Sequence, residues 1–145
     1  MPNGDGVLVA DTSGILAAMN ANDAAHASVR DALEKEVGAL IVPDLVIAEV
    51  DYLVLKILGR VAEEAFLADL ASGAWRREPF TDADLARVRA LIRTYRAHDI
   101  GVVDASIIAT AERLDADRIL TLDRRHFRTL HLRGKWAPTL LPDDR

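Results

Sequence analysis

The sequence predicts a three-layer α/β/α fold, with helices on both faces of a mostly parallel sheet of about four to five strands. Three observations carry this. The apolar runs "VLVA" (Val7–Ala10), "ALIVP" (Ala39–Pro43) and "RILTL" (Arg118–Leu122) are short and uninterrupted, as strands buried on both faces are. Segments of helical length and pattern lie between them. Strands that alternate with helices imply βαβ crossovers, and hence parallel pairing beneath helical layers.

The elements follow in order. Val7–Ala10 is a buried strand, and a helix begins near Ser13 with Asp11 or Thr12 as its N-cap. A further helical stretch runs from about Asp23 to Glu36, and Gly38 breaks it before the strand Ala39–Pro43. Asp44 then caps the long apolar helix "LVIAEVDYLVLKIL", which Gly59 ends. Another helix covers about Val61 to Ala71. "AWRREP" reads as an edge strand closed by Pro79. Thr81 and Asp84 form a capping-box-like start, with Asp in place of the usual Glu or Gln, to a helix through Tyr95. Val103–Leu114 is helical, Arg118–Leu122 is a strand, and a short strand lies within Trp136–Leu141. No linker, repeat or low-complexity tract divides the 145 residues, so one domain is expected over 1–145, with a core of about 7–140.

Composition narrows the class. Half the residues are hydrophobic and only 5% aromatic, so the core is built from Ala, Val, Leu and Ile. No apolar run approaches the ~20 residues of a membrane-spanning helix. "MPNGDG" has neither the basic nor the apolar region of a signal peptide. The absence of Cys excludes disulfides and thiolate zinc sites. A protein made and kept in the cytoplasm is expected, without a membrane partner. The net charge of −5 argues against a blanket basic surface for nucleic acid. The charge is uneven, however. Arg118–Lys135 holds six basic residues against one acid, Asp123, a net +5 that leaves −10 on the rest. A second basic run comprises Arg87, Arg89, Arg93 and Arg96. Such patches either hold phosphates or are solvated faces.

Four acids stand out. Asp11 ends the first strand, and Asp123 ends "RILTLD" in the same way. In open α/β sheets the ligand binds beyond the carboxyl ends of the strands, so parallel central strands deliver both acids to one edge. Glu49 shares a helical stripe with Leu45, Val46, Tyr52 and Leu53, which turns it inward. Asp51 lies about 200° further round that helix and is expected in solvent. Asp104 opens "DASIIATAERL", on the face of Ile107, Ile108 and Ala111, in the first turn where the helix dipole favours an anion. Each acid taken alone is equally a helix cap or a peripheral charge. Together, at the same edge, they repel: two carboxylates ~5 Å apart cost roughly 3 kcal/mol at an effective dielectric near 20. A divalent cation removes that cost, and oxygen ligands without Cys favour Mg²⁺, with Mn²⁺ a substitute. The chemistry such a centre supports is phosphate-ester hydrolysis, most naturally in nucleic acid. Thr12, Ser13 and Thr121 adjoin the first and last acids and suit the orientation of a carboxylate or a water.

With these residues in view the chain resembles the PIN-domain ribonucleases, specifically VapC-type toxins of type II toxin–antitoxin pairs. The signatures are "VADTS", "AEV" around Glu49, "VVDASIIATAERL" around Asp104 and "ILTLDRRHF" around Asp123, over about Val7 to Leu140. Each is weak alone; the four in this order and spacing are specific. The resemblance implies a PIN-like fold and a catalytic, Mg²⁺- or Mn²⁺-holding set of Asp11, Glu49, Asp104 and Asp123. Ser13 and Thr121 match the hydroxyl residues that accompany the first and last acids. It further implies endonucleolytic cleavage of cellular RNA, a tRNA or ribosomal RNA, together with a homodimer and a cognate VapB-type antitoxin. The basic tract then has a use: Arg124, Arg125, Arg128 and Lys135 adjoin Asp123 and suit backbone phosphates. With few aromatics for stacking, selectivity should rest on RNA shape.

Other readings fit less well. A haloacid-dehalogenase-type phosphatase needs a second Asp two residues after the first, where this chain has Ser13. A receiver-type phosphoacceptor domain needs adjacent acids after the first strand and a late lysine, and Asp123 stands where that lysine would. A catalytically inactive PIN-like protein-interaction module would have no need of all four acids. Phosphate-binding-loop, HExxH and nucleophilic-hydrolase motifs are missing. His26, His98, His126 and His131 are scattered, although the last two sit where RNA would pass.

Overall fold

Five short strands among the described residues pair side by side, and every pairing is parallel. The computed structural model describes residues 6–129 and 138–144. In chain order the strands are β1 (Val7–Ala10), β2 (Ala39–Pro43), β3 (Arg76–Glu78), β4 (Arg118–Leu120) and β5 (Thr139–Leu141). The helices are α1 (Thr12–Met19), α2 (His26–Lys35), α3 (Asp44–Leu58), α4 (Arg60–Ser72), α5 (Asp82–Thr94), α6 (Val102–Arg113) and α7 (Arg124–Thr129). A 3₁₀ turn at Arg96–His98 joins α5 to the approach of α6.

The spatial order is β3-β2-β1-β4-β5. β1 is therefore central, with Leu8 opposite Leu40 on one side and Arg118 on the other, and Val9 between Ile41 and Ile119. Leu8, Val9 and Ala10 are fully buried, which is why their run shows no alternation. The chain moves outward from β1 through β2 to β3, then returns across β1 to β4 and β5. That reversal runs through α5 and α6, which pack on each other, and α6 also touches α3. The reversal makes the gap between β1 and β4 the switch point of the sheet, where such folds bind ligands. The edge strand β3 is short and charged, as edges that avoid further pairing are.

Helix ends follow local chemistry. α5 begins with a reciprocal capping box: the Asp84 amide donates to Thr81 Oγ1 (3.0 Å) and the Thr81 amide to Asp84 Oδ2 (3.0 Å). Gly59 separates α3 from α4 at φ 92°, a conformation that suits glycine. Asp44 does not cap α3 as expected. Pro43 holds the cap position and Asp44 is the first helical residue, where its charge still complements the dipole. β4 stops at Leu120, earlier than the expected Leu122, and the basic segment after Asp123 forms the helix α7, which the sequence pattern did not suggest.

Arginine pairs tie distant segments together. Arg118 makes a bidentate pair with Glu36 (2.7 and 2.5 Å), joining β4 to the end of α2. Arg87 meets Glu112 (3.0 and 2.9 Å) and Arg113 meets Asp84 (2.9 and 3.0 Å), locking α5 to α6. Arg118 and Arg87, counted in the two basic runs of the sequence, are thus held by carboxylates within the fold. Among the described residues, no helix is long and apolar enough to cross a membrane.

Candidate active site

Asp11 is where the chain leaves the sheet. Its amide donates to Leu120 O (3.0 Å), completing the β1–β4 ladder, and its side chain caps α1. Oδ1 accepts from the Gly14 amide (2.9 Å) and from Ser13 Oγ (2.7 Å), while Oδ2 accepts from Thr121 Oγ1. The two hydroxyls also reach the β4 junction. Ser13 Oγ accepts from the Leu122 amide (3.0 Å) and Thr121 Oγ1 accepts from the Asp123 amide (2.9 Å). One hydrogen-bonded network therefore fixes both strand–acid junctions relative to each other. Gly14 permits this closeness, because a Cβ there would stand 2.7 Å from the Leu120 carbonyl oxygen.

The surroundings of Asp11 work against its charge. The residue is 5% exposed. Burial is the largest influence and pushes its carboxyl up to about 6, with the Asp104 carboxylate acting in the same direction and the bonds from Thr121, Gly14 and Ser13 acting against it. Beside it, Thr12 Oγ1 is buried and has no hydrogen-bond partner among the described residues. Ser13 and Thr121 thus hold Asp11, whereas Thr12 holds none of the acids.

A cleft of about 220 Å³ opens here, lined by Asp11, Glu49, Asp104 and Asp123, with Thr12, Ser13, Leu16 and Leu53 between them. The fold brings all four acids picked from the sequence to one place. They arrive by different routes. Asp104 is the third residue of α6, half-buried. Glu49 comes from the exposed margin of α3, not from its core stripe. That stripe is Val46, Val50 and Val54, and Tyr52, assigned to the interior from the sequence, is 62% exposed. Glu49 makes no hydrogen bond or ion pair with the described residues. Asp123 lies three residues past the end of β4, set by the turn at Thr121, so it does not end its strand as Asp11 does. Asp51, expected in solvent, is half-buried against α4. Its hydrogen bond with Glu63 pushes the Glu63 carboxyl above the usual range, and Arg60 (2.6 Å from Glu63) partly offsets this. The sequence offered no view of α4 as the neighbour of that face.

Among the described residues, no three acids or imidazoles close around a single point. The four carboxylates line the cleft without three of them gathering into one coordination sphere. Next to it, Leu122, Asp123, Arg124, Arg125 and Arg128 line a second cleft of about 520 Å³, so Asp123 belongs to both. Arg124 pairs with Asp143, and Arg128 with Asp144. Neither acid was singled out from the sequence, although "PDDR" is the most acidic stretch near the basic tract. Lys135 and His131 lie outside the described residues.

The chain that carries this cleft has counterparts among known proteins. The sequence profile of the PIN domain matches residues 8–131, and the chain belongs to the PIN-domain family. Over 135 residues, 93% of this chain and 100% of the relative, it is 37% identical to Ribonuclease VapC26 of Mycobacterium tuberculosis. Among solved structures it is similar to Mycobacterium tuberculosis VapC20, a toxin that cleaves the sarcin–ricin loop. The TM-score is 0.72 at 20% identity, over 77% of this chain and 86% of that one. It is also similar to a toxin–antitoxin complex from Klebsiella pneumoniae, with a TM-score of 0.66 at 20% identity over 85% of this chain and 92% of that one. At such identities the structural likeness speaks for the fold.

Proposed function

We propose that the protein is a metal-dependent endoribonuclease and the toxin of a toxin–antitoxin pair. The observation that carries this reading is the single cleft shared by Asp11, Glu49, Asp104 and Asp123 at the β1–β4 switch point. The 37% identity to a VapC ribonuclease along its whole length supports it.

The donor set fits a hard divalent ion. It is all oxygen and anionic, one member is protonation-prone through burial, and another has no cation beside it among the described residues. No three of the described acids close around one point, and Mg²⁺ does not need them to, since it binds through one or two carboxylates and keeps several waters, with Mn²⁺ as a substitute. Asp11, Glu49, Asp104 and Asp123 would hold it, and a bound ion supplies the Lewis acidity that phosphodiester hydrolysis needs. The chain's own contributions are positional. Ser13, Gly14 and Thr121 fix the Asp11 oxygens, Thr121 sets the turn that presents Asp123, and Leu16 and Leu53 wall the cleft with apolar surface. The basic cleft of α7 receives backbone phosphates that the acids alone would repel.

The substrate is RNA, either tRNA or ribosomal RNA. The partners are a VapB-type antitoxin and a second copy of the chain, and the site of action is the cytoplasm. The test is cleavage of total RNA by purified protein, read by mapping new 5′ ends. Discrete cuts are expected with Mg²⁺, and none with EDTA or with Glu49→Gln. Intact RNA under all conditions, or cutting that survives EDTA, overturns the proposal.

A further inference from the structure

We propose that Asp143 and Asp144 occupy, in the free protein, the positions on α7 where two backbone phosphates of the RNA dock, so that substrate binds by displacing them. This inference rests on the ribonuclease reading and deepens it by naming what RNA must compete with.

Arg124 and Arg128 lie one helical turn apart on one face of α7, with a rise of ~6 Å between them. Each meets a carboxylate from two consecutive residues in the turn after β5: Arg124 with Asp143, Arg128 with Asp144. The turn itself places these anions. The Leu140 amide donates to Asp144 Oδ2 (2.9 Å), and the Asp144 amide to Leu140 O (2.8 Å). The Leu140 amide first, then Arg128, hold the Asp144 carboxyl below its usual range, which favours its charged form. Two successive negative charges, each on a guanidinium, reproduce what a stretch of phosphodiester backbone offers.

The contrast with the other arginines says why these pairs are exchangeable. Arg118–Glu36 and Arg87–Glu112 are bidentate and have acids 4% and 9% exposed. Arg124 and Arg128 are about half exposed, and Asp143 is 38% exposed. Pairs of that kind contribute little to stability, so a phosphate can replace the carboxylate at small cost. The place is right for substrate as well. The arginine cleft and the acid cleft share Asp123, so RNA with its scissile bond among the acids runs directly over α7.

The experiment measures binding of a single-stranded RNA oligonucleotide in EDTA across a salt series, for the wild type, Asp143→Asn, Arg124→Gln and the double variant. Asp143→Asn carries the test because it leaves the Leu140–Asp144 turn in place. Asp144→Asn, which keeps an acceptor for the Leu140 amide, is the second probe. Each Asn variant should bind RNA about two- to fivefold tighter at low salt. Its log K against log salt should be steeper by up to about 0.7, one more phosphate contact made without a carboxylate to expel. Arg124→Gln should weaken binding and abolish the gain from Asp143→Asn. If the carboxylates only fasten the C-terminal turn, both Asn variants bind equally or more weakly and melt lower, and the proposal is wrong. Cleavage with Mg²⁺ restored is scored separately. Binding curves that shift as stated without any cutting defeat the ribonuclease reading alone; cutting without tighter binding defeats this inference alone.

Discussion

Asp84 and Asp11 are both buried carboxylates at the start of a helix, 2% and 5% exposed, yet the fold treats them oppositely. Burial raises both. At Asp84 the Arg113 guanidinium and the Thr81 amide outweigh it, and the carboxyl is held below its usual value. At Asp11 the partners are two hydroxyls and an amide, burial wins, and the carboxyl rises to about 6. The first arrangement is complete within the chain: a charge, its countercharge and a cap. The second leaves a charge-disfavouring pocket facing Asp104, which makes sense if a cation is to enter from outside. Asp84 is matched by an arginine; Asp11 is met by neutral donors and faces another acid.

Four substitutions sharpen or break that contrast. The largest effect is expected for Asp11→Asn. It should lower Mg²⁺-dependent RNA cleavage by at least about a hundredfold, yet raise the melting temperature in EDTA at neutral pH. The sign follows from the raised carboxyl. The native state keeps its proton between the ordinary value of 3.8 and about 6, so this group's contribution to stability is full below that window and is lost as pH rises through it. The displacement corresponds to about 3 kcal/mol at most. In EDTA the wild type should therefore lose stability from pH 4 to pH 7 relative to Asp11→Asn, and parallel curves would contradict the assignment.

Thr121→Val should come next. It removes the donor to Asp11 Oδ2 and the acceptor for the Asp123 amide. Cleavage should fall about ten- to hundredfold, with weaker Mg²⁺ dependence of binding, because both acids lose their orientation. Asp84→Asn is the control on the other side. It should cost about 2 kcal/mol of stability by loosening Arg113 and the capping box, with cleavage per folded molecule unchanged. The smallest effect belongs to Asp51→Asn. It should leave cleavage unaltered and, by relieving the carboxyl pair with Glu63, leave the melting temperature equal or slightly higher. Loss of activity there would mean that Asp51, not Glu49, faces the substrate.

What the sequence disclosed, and what it hid, follows the same line. The β1–Asp11 junction was legible because an apolar run that stops on a carboxylate is a local pattern. So was the capping box of α5. The strand order was not, since it depends on β1 pairing with β4, over a hundred residues away. α7 is hidden in the sequence because "RRHFRT" contains a single large apolar residue, Phe127, and so shows no periodicity. The periodicity of α3 alone points Asp51 to solvent, whereas α4 packs against α3 there and leaves Asp51 half-buried. The basic runs misled in part, as Arg118 has its partner in Glu36 and Arg87 in Glu112, both distant in sequence. The four acids were found by chemistry, but that Glu49 reaches the cleft from a helix margin is a matter of packing.

On the proposed reading, Asp11 and the acids that share its cleft hold a divalent cation. The most direct measurement is thermal unfolding against Mn²⁺ concentration, near neutral pH, for the wild type, Asp11→Asn and Asp84→Asn. Mass action predicts a saturable rise for the wild type, about 2.7 kcal/mol at a hundredfold excess over the dissociation constant. Asp84→Asn should rise equally from its lower start, and Asp11→Asn should not respond. A wild type indifferent to Mn²⁺, or an equal rise in Asp11→Asn, would contradict the account.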